Sequence, residues 1–595
     1  MSSVKKVKKN GADIIVDYLI EEKVPYAFGL CGHGNVGLLD SLVKNSDKIK
    51  TISVRHESAA GFMADAYYRI SHKPVATFTS CGPGSANLPV TLGAAIMDSS
   101  AYFAITGNVP TTQFNRSPFQ ETGRFFQGDF PSVVKPYVKR SYQPMRVEMV
   151  PLAVRQGFKE METGTPGPVH LDVPLNVFVE EMEVDVIASH QIEAINQRSG
   201  TNDQVIDQIL QLLKEAKRPL IAAGNGAILS HASEVITELS DYLNIPVHTT
   251  PQGKGIIDER KELSLGACGR NGTYAANEAG KNCDVLIAFG SSFDDRVTSA
   301  WLDGYTYDMS KTKLVHVDIS GHEIGKNYPV HLGVIGDART VAQQILDKAK
   351  EEFAEVAPDY SVWIEEIKSY KKIWKKHVEE SFNENGTPVH PARLVHEVRK
   401  ALPEDGILGV DVGVHHNWVV QYWDTYSPQK LLQSWGFASM GLATCGILGA
   451  KLASPESACV AIVGDGSFIM HGHILATAKE YNIPVVWVVW NNYAYGSIRD
   501  LQHGYFGGRE LATSFKIDET EELYNPDFVA LAKSYGVDSK KVTQADEISE
   551  AVQEAIKLNK PYLIEVEVAR DIKPPGTGTW SLPPFPHPEP NFLAK

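Results

Sequence analysis

The sequence predicts an α/β chain built from three consecutive doubly wound parallel-sheet domains, on three observations. Short apolar runs of strand length recur along it, each ending in a turn with Gly, Asn or Asp and each followed by a stretch of helical periodicity. This alternation is met three times over, with polar connections at 189–200 and 351–385 between the repeats. At 595 residues, 43% hydrophobic and 22% charged, the chain has material for three full cores. Strands and helices alternating at this length imply parallel sheets covered on both faces.

In the first domain, 1–186, a helix ending near Lys23 leads to a strand at 26–30 and the turn Cys31-Gly32-His33-Gly34-Asn35. A helix at 36–43 follows. A strand at 51–54 then presents Arg55-His56-Glu57 ahead of a helix at 58–70. A strand at 75–79 ends in Cys81-Gly82-Pro83-Gly84, and strands at 101–106 and 167–173 complete the unit. In the second domain, 200–350, strands at 219–223, 246–249, 284–289 and 314–319 run into Gly224-Asn225-Gly226, Pro251-Gln252-Gly253, Gly290 and Ser320-Gly321. Such turns suit a dinucleotide site and serve equally in a domain without a ligand; no GxGxxG occurs. In the third domain, 386–573, a strand at 406–410 leads to Asp411-Val412-Gly413-Val414-His415-His416. The apolar run 458–463 enters Gly464-Asp465-Gly466, one helical stretch continues to Tyr481, and a buried strand at 484–490 reaches Asn491-Asn492. Helices at 527–535 and 546–557 and a strand at 561–568 close it. The Pro-rich tail, 574–595, is expected as a surface strap rather than a lid.

Composition excludes several classes. A net charge of −15 disfavours nucleic-acid and anionic-membrane partners, which need clustered Lys and Arg. Six cysteines without CxxC spacing indicate neither a disulfide framework nor a zinc site, and a reducing cytoplasm fits best. The basic stretch 1–10 precedes an amphipathic helix containing charges, which suits neither a signal peptide nor a membrane span. The lysines at 5, 6, 8 and 9 are expected as a solvated end.

The stretch 463–496 carries the most chemistry. In a parallel sheet the C-terminal strand edge is where ligands sit and where helix N-termini receive anions. Asp465 and Asn492 offer hard oxygen ligands suited to Mg²⁺ completed by phosphate oxygens, and glycines let those oxygens approach the backbone. A lone GDG is more often a tight turn. Here 24 residues, one helix and one strand in length, separate Gly466 from Asn491, which makes the pair specific. It resembles the diphosphate and metal motif of the thiamine diphosphate enzymes. The resemblance implies the three-domain pyrimidine, central and diphosphate arrangement, with Asp465, Asn492 and the Ala494 carbonyl as metal ligands and Gly413, His415, Gly464, Gly466 and Ser467 against the cofactor. By position alone His415 is also a plausible packing residue.

Glu57, at a strand end, would pass as a structural carboxylate at a helix N-terminus. RHESAA, however, is similar to the stretch that carries the family's glutamate, which bonds N1′ of the aminopyrimidine and promotes its imino form. Met440 would ordinarily be core filler; the resemblance makes it the apolar wedge that bends the cofactor, with Ala438 giving a carbonyl to the 4′-amino group. FGSSFDDRVT (289–298) and HVDISGHEIGKN (316–327) look like the flavin-binding domain of acetolactate synthases, implying structural FAD held by Arg296, Gly224, Gly226, Asp318 and Asp337. Ser117-Pro118-Phe119-Gln120-Glu121-Thr122 looks like that family's substrate-side stretch, with Gln120 reaching the reacting carbon. The implied activity is decarboxylation of a 2-oxo acid such as pyruvate and ligation to a second carbonyl, in a homodimer or homotetramer whose sites lie between subunits. A regulatory subunit is left open.

This sequence also departs from the acetolactate synthase pattern. Trp435-Gly436-Phe437-Ala438-Ser439-Met440 replaces Gly-Gly-Leu-Gly-Ala-Met, and His471 and His473 stand where Asn and Gln or Glu are usual. Gly32-His33-Gly34-Asn35-Val36 and Gly496-Ser497-Ile498-Arg499-Asp500-Leu501-Gln502 resemble the trihydroxycyclohexane-dione hydrolase of inositol breakdown. Cleavage of a cyclic dione is therefore the alternative activity, and a non-catalytic regulatory homologue a remote one.

Overall fold

The computed structural model describes residues 5–123, 129–186, 188–190, 198–580 and 592–593. It contains three six-stranded sheets, each parallel throughout. The first runs, across the sheet, Lys50–Ser53, Tyr26–Gly29, Ala76–Thr79, Phe103–Asn108, Val169–Pro174, Arg140–Tyr142. The third runs Leu431–Gln433, Ile407–Val410, Cys459–Gly464, Val486–Asn491, Tyr562–Glu567, Asp538–Val542. Numbered by chain order within its own domain, each of these two sheets reads 2-1-3-4-6-5. The middle sheet, Ser264–Ala267, Val247–Thr249, Pro219–Ala223, Val285–Phe289, Lys313–Asp318, Leu332–Ile335, reads 3-2-1-4-5-6, the order associated with dinucleotide binding. Their central strands are buried at every residue, as sheets covered by helices on both faces require.

The first and third domains share a hydrophobic core. Helix Glu57–Ser71 lies against helix Leu442–Ala453, with Phe62, Met63, Leu442 and Ile447 in one buried cluster. Glycine permits the approach: a Cβ at Gly449 would lie 2.0 Å from the Met63 carbonyl oxygen, and one at Gly446 2.9 Å from that of Phe62. At the same seam Arg69 bonds Asp65, Asp98 and the Gln433 carbonyl.

The structure departs from the sequence reading in four places. The lysines expected as a solvated end keep Lys6 and Lys8 exposed but lie in a strand, Lys5–Asn10, which pairs antiparallel with Glu181–Val186 and sets Lys6 opposite Asp185 and Lys8 opposite Glu183; unlike charges across a ribbon favour the pairing. The single helix expected up to Tyr481 is two, Asp465–His471 and Ile474–Glu480, interrupted at Gly472. Strands Arg140–Tyr142, Ser264–Ala267, Leu332–Ile335, Leu431–Gln433 and Asp538–Val542 were not anticipated; they are short and lie at or next to sheet edges, where neither burial nor alternation leaves a clear pattern. Of the tail, 574–580 is described: Thr577 and Thr579 are buried, and Trp580 lies under Arg270. Residues 191–197 of the first polar connection and 581–591 of the tail are outside the described residues.

Candidate functional site at the edge of the third sheet

Chain order reverses between the Ile407–Val410 and Cys459–Gly464 strands, and at such a switch point the C-terminal edge of a doubly wound sheet offers a crevice. His415 enters it from the first turn of helix Val414–Tyr422. Its ring is buried, and a Cβ on Gly413 or Gly464 would lie 2.6 or 2.8 Å from it. Burial pushes its pKa down to about 4, one ring nitrogen faces the Asp411 carbonyl, and Nε2 has no partner among the described residues. Gly466 is equally constrained, since a Cβ there would meet the Tyr495 ring at 2.5 Å. Ser467 is buried, its hydroxyl 3.4 Å from that of Thr444.

Asp465 begins the helix that leaves this crevice. Its Oδ1 accepts from the Gly466 amide at 2.8 Å, and its Oδ2 from the Asn492 amide at 3.2 Å and the Asn525 side chain at 2.9 Å. Burial pushes its pKa up to about 6 against these donors and the amides of Tyr493 and Ala494. Asp465, Asn492 and Ala494 are thus brought together, all buried, by strand Val486–Asn491 and the turn that follows it, where Tyr493 takes φ +53°. Among the described residues no group of three His, Cys, Asp or Glu could hold a metal. One carboxylate with an amide and a carbonyl suits a hard cation whose remaining ligands come from phosphate and water.

Met440 is half-buried, two residues after Ala438, which takes φ +54°. The loop carrying them is held at both ends by carboxylates that sequence reading missed. Asp98 accepts from the Trp435 and Gly436 amides, and fully buried Asp411 accepts from the Gly441 and Thr444 amides and the Thr444 hydroxyl. Asp411 follows a strand directly, a signal that was present in the sequence. Asp98, 337 residues before Trp435, left none.

Glu57 opens helix Glu57–Ser71, whose N-cap is the His56 side chain accepting from the Ser58 amide. It is 8% exposed; Asn87 donates to its Oε2 at 2.8 Å, and a Cβ on Gly84 would lie 3.3 Å from Oε1. These neighbours all belong to the first domain. Gln120 is exposed at φ +56° on a loop whose backbone crosses Gly82, in the same turn as the Gly84 that lies against Glu57. His33 stands on the same sheet edge, Nε2 3.6 Å from Cys81 Sγ and its ring against Phe119. His471 and His473 lie at the seam with the first domain, the His473 ring stacked on His56 at 5.7 Å and His471 edge-on to Phe62, while the His471 ring also stands against Gly441, where a Cβ would lie 2.5 Å from it.

In the middle domain Gly224 and Gly226 sit at the switch point between Pro219–Ala223 and Val285–Phe289. They pack so closely that a Cβ on Gly224 would be 2.2 Å from the Gly290 carbonyl. Asp318, pushed up to about 6 by burial, ends the next strand and accepts from the Ser320 amide. Arg296 lies further off, against the third domain, its guanidinium 3.8 Å over the Trp435 ring and bonded to Asn417. It is half-buried, its Nε is buried with no partner among the described residues, and desolvation lowers its pKa to about 9. Asp337 caps helix Ala338–Glu352 and pairs with Arg198, so its own chain occupies it.

Comparison with known families matches all three domains. Residues 9–127 match the thiamine pyrophosphate enzyme N-terminal TPP binding domain, 206–345 the central domain, and 411–566 the C-terminal TPP binding domain. A protein named probable acetolactate synthase large subunit from Methanococcus aeolicus is 35% identical over 95% of this chain and 94% of its own length. An acetolactate synthase large subunit from Corynebacterium glutamicum is 32% identical over 95% and 87%. The chloroplastic acetolactate synthase 3 of Brassica napus is 31% identical over 94% and 83%. With the family's domains matched in order and relatives of this kind aligned almost end to end, the chain belongs to the thiamine pyrophosphate-dependent enzymes, beside the acetolactate synthase large subunits.

Proposed function

We propose that the protein is a thiamine diphosphate- and Mg²⁺-dependent decarboxylating carboligase that takes a 2-oxo acid such as pyruvate and joins its decarboxylated fragment to a second carbonyl compound. The observation that carries this is the crevice of the third sheet. There a buried imidazole nitrogen without a partner, glycines with no room for a Cβ, and a carboxylate raised by burial converge on one place, and each of these suits a metal-bound diphosphate. Asp465, the side-chain oxygen of Asn492 and the Ala494 carbonyl would hold the ion. A cation beside Asp465 favours its ionised form, and a diphosphate beside His415 favours the protonated ring, so that both ring nitrogens donate. When bound, thiamine diphosphate supplies an electron sink for the pair left behind as carbon dioxide departs. Glu57 would hold a proton at the pyrimidine N1′ position, with Asn87 keeping its other oxygen oriented. Met440 would press between the two rings from a loop fixed at both ends. Gln120 would face the reacting carbon.

Among the described residues Glu57 is bonded only within its own domain, to Asn87, which supports a site shared between two copies in a homodimer or homotetramer. So do the exposed apolar side chains beside the site residues, Phe119, Phe437, Ile469 and Met470. In the middle domain the strand order, the close-packed Gly224–Gly226 turn and the unpartnered Nε of Arg296 support FAD as a structural ligand, contacted by Gly224, Gly226, Arg296 and Asp318. A cytoplasmic setting is supported by free cysteines, five of the six buried, and by the lack, among the described residues, of any helix long and apolar enough to cross a membrane.

His33 beside Cys81 favours a second reading, hydrolytic cleavage of a cyclic dione, because an imidazole at that rim suits a hydroxylated substrate. The purified protein with thiamine diphosphate and Mg²⁺ is given pyruvate and, separately, a panel of cyclic diones. Acetoin after acidification supports the ligase; turnover of a dione alone overturns it in favour of the hydrolase. An absorbance band near that of bound flavin tests FAD.

A further inference from the structure

We infer that Asn525 is a positioning residue that decides which oxygen of Asp465 faces the divalent cation, an assignment that rests on the metal site proposed above. Asn525 is on neither strand that builds the site. It reaches in from the loop between helices Gly496–Phe506 and Phe528–Ser534, half-buried, and spends its amide nitrogen on two acceptors, Asp465 Oδ2 at 2.9 Å and Asn491 Oδ1 at 2.8 Å. An amide nitrogen carries two hydrogens, so both are used. Asn491 in turn donates to Glu565 at 3.0 Å, and Glu565 pairs with Lys541 at 3.2 Å. This chain of bonds runs across three adjacent strands and fixes the orientation of both asparagine amides, because reversing either would set oxygen against oxygen.

The consequence falls on Asp465. Its Oδ2 takes the Asn525 side chain together with the Asn492 amide, Oδ1 takes the Gly466 amide, and the Tyr493 and Ala494 amides also face the carboxylate. Oδ1, the oxygen that no side chain engages, is the one assigned to the metal, and the carboxylate cannot rotate to offer Oδ2 without giving up the Asn525 bond. Hydrogen bonds of this kind behind a ligand change metal affinity by about 10- to 100-fold when removed. A purely structural Asn525 would pin the loop and leave affinity for the ion alone.

The test uses full-length protein and the intrinsic tryptophan fluorescence, to which Trp490, 6.0 Å from the His415 ring, contributes. Thiamine diphosphate is held at saturation and Mg²⁺ is titrated. Asn525→Ala, and Asn525→Leu as a variant that keeps the side-chain volume, are expected to raise the half-saturating Mg²⁺ concentration about 10-fold or more. Unchanged half-saturation in whichever variant folds, with or without a lower melting temperature, would overturn the assignment. If the parent protein shows no Mg²⁺-dependent binding of thiamine diphosphate, the proposed site itself fails and the role of Asn525 with it.

Discussion

Glu57 is placed by the first turn of its own helix and oriented by one neighbour, Asn87, so its chemistry can be removed without disturbing the backbone. Glu57→Gln keeps the size and the acceptor for Asn87 but loses the titratable proton. It is expected to lower kcat about 10²- to 10⁴-fold, with thiamine diphosphate binding by fluorescence little changed. Ala438 presents the opposite case, a residue held in strain. At φ +54° its Cβ crowds the backbone, and glycine would sit there without that cost. Ala438→Gly is expected to raise stability by up to about 1 kcal/mol in urea denaturation, while kcat falls because the loop carrying Met440 is less fixed. Asp465 and Asn492 were legible because motif and spacing lie within one strand-helix-strand unit. Asn87, Asp98 and Asn525 were not, because each acts through a polar contact that only tertiary folding creates.

Among elements, the seam between helix Glu57–Ser71 and the third domain depends on one cation. Arg69 lies between Asp65 and Asp98, whose side chains are fully buried, and their charges hold its pKa above the usual arginine value. Arg69→Met would leave two buried carboxylates without their counter-ion, and a loss of about 3–5 kcal/mol is expected from denaturant midpoints. Glu162, the last residue of helix Val150–Glu162, is pushed up to about 7 by burial, with Tyr68 donating to it. Because the folded chain holds this proton more tightly than the unfolded one, the stability contributed is complete below about pH 4.5 and is lost as pH rises through about 7. Glu162→Gln keeps the bond to Tyr68 and should be more stable than the parent at pH 8, by roughly 3 kcal/mol at most, with the difference gone at pH 4; thermal melts at the two pH values check this. The long central strands of each sheet were legible as apolar runs, whereas three-residue edge strands such as Arg140–Tyr142 and Leu431–Gln433 carry too few side chains to show a period. The break at Gly472 was hidden because the apolar pattern continues through it.

For the whole molecule, the family and its three-domain order could be read from sequence, because the motifs fall at strand ends of a repeated architecture; how the domains meet could not. If each site takes Glu57 from one copy and Asp465 from another, then Glu57→Gln and Asp465→Asn chains, each inactive alone, should regain activity when co-expressed, since a mixed pair contains one site with both residues intact. Activity in the mixed sample and none in the separately purified variants is the expected outcome. The crossing at Gly446 and Gly449 bears on how such an assembly works. With two helices in backbone contact, the first and third domains of a chain form a single lever, and neither swings freely from the other. In an assembly that shares its sites between copies, entry and release would then fall to surface loops such as the one bearing Gln120, and a displacement at one pocket would be carried stiffly through the subunit to the pocket on its far side.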